Sequence, residues 1–326
     1  MTDIITIVIP VYNVEAYIDK TLKSVCGQTY EKLQIILIDD GSTDKSLAIC
    51  EAWEKRDGRI QIYHQENKGV ASARNRGIES AQGKYLMFID ADDCIEPDML
   101  EVLYHIAEND QADVSCCILR EEAALDTEQA GSVTASKKNS SKMTHGKDKI
   151  ESGLILLSVW GPVCKLYRMD LIRDIRFEEY KVAEDLLFNT NVICSEKFEK
   201  ATLIHYPFYH YVIYNGSAMK QGFQEKYIDA MSVEEICYNR LTAISEKFGD
   251  INLIGCSVSR VFEKYAALSL KEKKKYRNEF RYCKKFAKRQ KRALLCTTDR
   301  HRKISGWLKV YVPDLYMWIL TLRLRG

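Results

Sequence analysis

Residues 84–98 read KYLMFIDADDCIEPD, an apolar run that ends in three carboxylates within four positions: Asp90, Asp92 and Asp93. Like charges this close repel one another and are costly to desolvate. A divalent cation is the partner that makes such a cluster tolerable. One carboxylate can bind Mg²⁺ or Mn²⁺ directly and leave coordination positions for substrate phosphate oxygens. A neighbouring carboxylate can accept a hydrogen bond from a ribose hydroxyl. The competing reading is a solvated Asp-rich turn that caps a helix beginning near Pro97. A second acidic stretch, IDDGSTD at 38–44, is good turn and N-cap chemistry when taken alone. Two acidic clusters at successive strand ends of one sheet are a stronger signal than either by itself.

The elements that must position these acids alternate. ITIVIPVYN is a β-branched strand bounded by Pro10, and EAYIDKTLKSVCGQT carries apolar residues at helical spacing up to Gly27. LQIILIDDGSTD is a second strand ending in a polar turn, and KSLAICEAWEKRDG a second helix with N-cap candidates between Asp39 and Asp44. RIQIYHQE, GVASARNRGIESAQG and KYLMFIDADD continue the series, followed by DMLEVLYHIAENDQ and ADVSCCILR. Strands alternating with helices predict a mainly parallel sheet covered on both faces. Ligands of such sheets bind outside the carboxyl ends of the strands, where both acidic clusters fall. Residues 126–150 are small, polar and without period, which predicts a surface excursion. From about Gly216 the pattern is helical to the end.

Composition narrows the class. At 46% hydrophobic and 29% charged, the 326 residues suit a soluble globular protein of one large domain with an extension, or of two domains. Eleven cysteines lie scattered, many in apolar runs and none as C-x-x-C, which argues against a disulfide framework or a zinc site. The N-terminus enters a strand at once, without signal-peptide features, and no apolar run reaches the roughly 18–20 residues of a membrane span. The expected location is cytoplasmic, with peripheral contact at the inner face of the membrane. That contact is expected of residues 271–326, which hold 18 Lys and Arg against 4 acids and end in WLKVYVPDLYMWILTLRLRG. Mixed aromatic and basic residues suit either a solvated helical face or an interfacial helix near anionic headgroups. No recognised module supports nucleic-acid binding. Phosphate-loop, dinucleotide-binding and nucleophile-elbow motifs are absent, so a nucleotide would be held by acids, a metal and side-chain contacts.

VIPVYNVEAYIDKTLKSVCGQTY, ILIDDGSTDKS, NKGVASARNRGI and YLMFIDADD resemble, in order and spacing, the successive motifs of family 2 glycosyltransferases; KLYRMDLI and VAEDLLFN extend the likeness to about residue 190. The resemblance implies an α/β GT-A fold, Rossmann-like, with a mainly parallel sheet flanked by helices. The catalytic nucleotide-sugar domain would span 1–215. The basic, mainly helical region 216–326 would make acceptor, oligomer or membrane contacts. By the same resemblance Pro10, Val11 and Tyr12 line the nucleotide pocket, Asp40 accepts from uracil, and Arg74 lies near the diphosphate. Asp92 touches ribose and Asp93 coordinates Mn²⁺ or Mg²⁺. Asp90 supports the turn or shares the ribose contact, and Asp39 is a further supporting acid.

The late acidic pair Glu184–Asp185 matches the family's base position. Inverting transfer needs a carboxylate that takes the acceptor hydroxyl's proton as that oxygen attacks the anomeric carbon. Asp185 is assigned this role, with Glu184 placing it or binding sugar. One departure stands out. Val212 occupies the place of an arginine that relatives use on the diphosphate, and Lys220, His210 or Ser217 are the candidates to replace it. His205 is expected to pack among aromatics. The implied activity is transfer from a nucleotide sugar, a UDP-sugar by expectation, to a glycan, lipid-linked oligosaccharide or glycoprotein. The rivals are a nucleotidyltransferase, which would release pyrophosphate, and a non-catalytic sugar-nucleotide-binding scaffold. A homo-oligomer is compatible with all three.

Overall fold

Ile5–Val11 (β1), Leu33–Asp39 (β2) and Tyr85–Phe88 (β4) are apolar on both faces, and their side chains are almost all buried. That is the pattern of strands covered by helices above and below. The computed structural model describes residues 3–123, 142–159, 161–213, 223, 226–250, 253–295 and 300–323. The chain forms two compact units: Met1–Glu179 with Asn191–Asn215, and Tyr180–Thr190 with Gly216–Gly326.

In the first unit, β1 pairs in parallel with β2 and with β4, and β2 with Ile60–His64 (β3). The crossovers are helices Ile18–Cys26 (α1), Ser46–Glu54 (α2) and Val70–Ser80 (α3). The strand order 3-2-1-4 reverses direction between β1 and β4. The carboxyl ends of those two strands therefore flank a topological switch point, the usual place for a ligand crevice. Helix α3 lies close on β1, because Gly77 faces Val8: a Cβ at Gly77 would come within 2.2 Å of the valine Cγ1.

Beyond β4 the sheet is mixed. Lys165–Arg168 (β8) runs antiparallel to β4 and to Val114–Ala123 (β6), which pairs in parallel with the long strand Ala201–Ile213 (β9). Cys94–Ile95 (β5), just past the three acids, folds back antiparallel on β9, with Cys94 opposite His210 and Ile95 opposite Tyr209. Helix Met99–Asp110 (α4) leads from β5 to β6. Of the excursion expected at 126–150, residues 126–141 lie outside the described residues, and the rest is structured. Met143–His145 (β7) pairs with β9, and helix Lys149–Ser158 (α5), capped by Asp148, follows. A three-residue edge strand is too short to show a period. A short helix, Met169–Ile172 (α6), follows β8.

The second unit opens with the start of helix Glu184–Cys194 (α7), which crosses in sequence from one unit to the other. Its remainder comprises helices Lys226–Ile244 (α8), Leu253–Ala266 (α9), Leu270–Lys275 (α10), Arg277–Arg289 (α11), Lys291–Leu295 (α12), Arg300–Tyr311 (α13) and Pro313–Arg323 (α14). A Ser269–Glu272 capping box starts α10. Helix α11 buries Phe280, Cys283, Phe286 and Ala287 at helical spacing and turns its basic residues outward. The core of this unit is aromatic: Phe280 stacks on Tyr265 at 4.1 Å and meets Phe262 edge-on at 5.0 Å.

Candidate active site

The turn between β4 and β5 carries the three acids, and the chain holds it from several sides. Tyr209, fully buried on β9, accepts a hydrogen bond from the Asp90 backbone N–H at 3.1 Å and donates its own proton to Asp93 Oδ2 at 2.7 Å. The Val212 backbone N–H donates to Asp93 Oδ1 at 2.9 Å. Thr21 on α1 donates to the Ala91 carbonyl at 2.9 Å. Asp93 is thus wholly enclosed, with both oxygens engaged, while Asp90 and Asp92 are half-exposed. Burial, then the charges of Asp90 and Asp92, push the Asp93 carboxyl up to about 8. Asp93, expected to coordinate a metal, is the enclosed member of the three, its carboxyl tying the turn to β9, and Asp90 and Asp92 are the more accessible acids.

Arg74 supplies the cation of the cluster. Its guanidinium donates to Asp90 Oδ1 at 3.0 Å and lies 5.3 Å from the centre of the Phe177 ring. Asn75 fixes that ring by a reciprocal pair of 2.8 Å hydrogen bonds with the Phe177 backbone. The SARN motif therefore has two tasks: one residue pins a distant segment, and its neighbour stacks on it and meets the acids.

At the adjoining edge, Asp40 is buried. It accepts from Gln65 Nε2 and the Lys68 N–H through Oδ1, and from the Gly69 N–H through Oδ2. These bonds shape the loop between β3 and α3. A carboxylate oxygen accepts more than one hydrogen bond, so Oδ2 has capacity for a donor besides the Gly69 N–H. Asp39 lies 2.6 Å from His64 Nδ1 and accepts from the Ser42 N–H. Gly41 follows at φ +74°, where a Cβ would also meet the Asn67 backbone at 2.9 Å. Asn13, at φ +51°, accepts from the Thr43 N–H at 2.8 Å and joins the β1 and β2 loops. Tyr12 is exposed at the end of β1 and Pro10 is half-buried, but the Val11 side chain is fully buried and presents no surface to a ligand.

His210 does not replace the missing arginine. It is buried, with Nδ1 2.7 Å from Glu122 and Nε2 3.0 Å from Glu96, so both ring nitrogens are occupied by carboxylates. Val212 is buried beside it and acts through its backbone. His205, expected among aromatics, is exposed and lies 2.8 Å from the Thr144 hydroxyl on β7. Ser217 and Lys220 lie outside the described residues.

Glu184 and Asp185 form the first turn of α7, half-exposed, in the second unit. Asp185 Oδ1 accepts from the Leu186 N–H at 2.7 Å. Ala183, immediately before them, has φ +61°, a left-handed conformation that a non-glycine residue rarely adopts. Backbone strain of this kind is retained where neighbouring structure over-determines it and is frequent at functional sites.

The sequence reading missed Tyr209, Thr21, Phe177, Glu96 and Glu122. For Tyr209 a signal existed in YPFYHYVIY: a buried tyrosine needs a partner for its hydroxyl, and the nearest buried acid is the natural one. Nothing local marks the others, since their partners lie tens of residues away.

Hard oxygen donors on one turn fit Mg²⁺ or Mn²⁺, which are commonly held by one or two carboxylates together with substrate phosphates. Among the described residues no group of three ligating side chains forms a ready-made cage. Half-exposed Asp90 and Asp92 match the former arrangement.

Comparison with known proteins bears on this geometry. A family model described as Glycosyl transferase family 2 matches residues 6–176, which include β1 to β4 and both acidic turns. Glycosyltransferase GlyA of Streptococcus pneumoniae serotype 4 is 35% identical over 241 residues, 71% of this chain and 34% of that protein. The chain thus spans about a third of that relative's length. Among solved structures, S. aureus TarS 1-349 in complex with UDP-GlcNAc superposes with a TM-score of 0.69 at 20% identity, covering 98% of this chain and 91% of that one. The mannosyltransferase PcManGT from Pyrobaculum calidifontis, in complex with GDP-Man and Mn²⁺, gives 0.55 at 14% identity, covering 100% and 89%. These likenesses show the GT-A type of fold. With the ordered motifs and the matching family model, they place this chain in glycosyl transferase family 2.

Proposed function

We propose that this glycosyltransferase is inverting and metal-assisted, and that its donor is a UDP-sugar. The observation that carries the reading is the acid turn at the switch point, where two half-exposed carboxylates stand beside an enclosed third and one paired arginine. In this reading Asp40 takes the uracil N–H at Oδ2, and Tyr12 and Pro10 border the base. Asp90 and Asp92 would hold Mn²⁺ or Mg²⁺ and the ribose. When bound, the cation supplies charge neutralisation for the departing diphosphate. Arg74 holds Asp90 in place and adds positive potential on the same side. Asp185 receives the acceptor hydroxyl's proton as its oxygen forms the bond to the anomeric carbon, and Glu184 orients it. The bond from that carbon to the diphosphate oxygen breaks with its electron pair leaving on UDP, so configuration inverts. A glycan, a lipid-linked oligosaccharide or a glycoprotein is the proposed acceptor. TarS and PcManGT, with UDP-GlcNAc and GDP-Man in their respective complexes, support a nucleotide-sugar donor, and the Mn²⁺ of the latter supports the cation.

The test is a panel of UDP-, GDP- and dTDP-sugars with the purified chain, with and without Mn²⁺, and with Asp92→Ala as control. The expected result is metal-dependent release of nucleoside diphosphate from one donor, lost in the variant. Pyrophosphate in its place would assign nucleotidyl transfer. No release from any donor, together with no metal-dependent UDP binding by calorimetry, would overturn the reading.

A further inference from the structure

Half of the large apolar side chains that stand exposed among the described residues fall between Ile304 and Leu322. Helices α13 and α14 are almost one rod, because i to i−4 hydrogen bonds continue through the break: Val312 N–H to the Leu308 carbonyl at 3.0 Å, and Tyr316 N–H to the Val312 carbonyl at 3.1 Å. Along this rod Ile304, Trp307, Tyr311, Leu315, Trp318 and Leu322 recur at spacings of three and four, and all six are exposed. At about 100° per residue they occupy one arc of less than about 120°. The opposite side of the rod is spent on the unit's own core, through Gly306, Val310 and Leu320. The outward stripe is therefore not a core face that happens to be open; the core face is elsewhere.

The chemistry beside the stripe says what covers it. Trp318 and Thr321 form one wall of a groove of about 400 Å³, and the other wall is α11, with Arg277, Arg281 and Lys284 one helical turn apart. One acid, Asp314, also lines the groove and is paired with Lys284 at 3.0 Å. Indole and phenol rings on an apolar stripe, flanked by a row of cations, match a bilayer's headgroup boundary: rings settle among the glycerol and upper acyl positions, and cations meet lipid phosphates. A water-soluble anion would match the cations but leave the stripe uncovered. No helix of the described residues is long and apolar enough to cross a membrane.

We propose that the α13–α14 stripe and the basic edge of α11 form a docking surface for an anionic lipid bilayer, on which the helical unit lies flat.

The experiment is flotation of the full chain with phosphatidylcholine vesicles, pure or containing about 30% phosphatidylglycerol, beside the doubles Trp307→Ala/Trp318→Ala and Arg277→Glu/Arg281→Glu. All four positions lie outside the proposed catalytic and donor sites, so sugar-nucleotide turnover reports that reading separately. Circular dichroism and sedimentation velocity accompany each variant. The expected result is binding to the anionic vesicles only, reduced roughly tenfold or more by either double variant, since each removes one of the two required signals. Absence of binding would overturn the proposal. So would binding that salt abolishes but the aromatic double leaves unchanged, because the stripe would then have no part in it. A self-association that the aromatic double dissolves, without vesicle binding, would assign the face to a second copy of the chain.

Discussion

Two side chains, Tyr209 and Asp185, decide how the site reads at the scale of single residues. Tyr209 both accepts from Asp90 N–H and donates to Asp93, so Tyr209→Phe leaves a buried Asp93 carboxyl oxygen and the part-buried Asp90 amide without that partner. We expect a loss of about 1–3 kcal/mol in urea unfolding, with weaker metal-dependent UDP binding. Asp185→Asn should keep UDP affinity within a few-fold and lower turnover by about 10²–10⁴, the range lost with a general base. A variant turning over at the parental rate would dismiss Asp185 as the base. Away from the site, Asp57 accepts from Arg59, whose guanidinium also donates to the Cys26 carbonyl at 2.8 Å. The hydrogen bonds from Arg59 hold the Asp57 carboxyl at about 2, below its ordinary 3.8. A depressed value stabilises the fold above the ordinary value and loses that stabilisation as pH falls between the two. Asp57→Asn should therefore cost about 1–2 kcal/mol at pH 7, and the gap to the parent should close between about pH 4 and pH 2.

Among the elements, the close contact of α3 on β1 matters most, because α3 carries Arg74 and Asn75 and β1 ends at the switch point. Gly77 permits that approach: a methyl group there would overlap the branched Val8 side chain. Gly77→Ala should destabilise by about 1–3 kcal/mol despite alanine's better helix propensity. Adding Val8→Ala should recover part of the loss, and a double-mutant cycle in denaturant measures that coupling. If the two changes simply add, the helix is not held by this contact. The parallel strands and their crossovers were legible because apolar runs, helical spacing and polar turns alternate so regularly over residues 5–110. The segment from β5 to β9 was less so. Its antiparallel joins depend on partners distant in the chain, such as Val114 with Tyr167 and, for the two-residue β5, Cys94 with His210, which no local period reports.

The whole molecule carries its charge unevenly: 18 Lys and Arg against 4 acids in residues 271–326, within a chain of formal charge +2 and pI about 7.9. Surfaces meet charged partners through patches, not through the net sum. The protein should thus be retained on a cation exchanger at pH 8.5, above its pI, and Arg277→Glu/Arg281→Glu should elute at clearly lower salt. Flow-through of the parent at low salt would show that the basic residues do not act as one patch. The sequence by itself determined the fold class, the helical C-terminal region and the two acidic turns, because these follow from local pattern and from ordered motifs. Tertiary structure alone decided which acids face outward. Asp90, Asp92 and Asp93 are neighbours of one kind on the chain, yet only contact with β9 encloses Asp93, and only α3 brings Arg74 to Asp90. It likewise decided that His210 is spent between Glu96 and Glu122, and that the tail's aromatics share one outward stripe. Burial and hydrogen-bond partners are properties of distant chain segments brought together, and a linear pattern does not contain them.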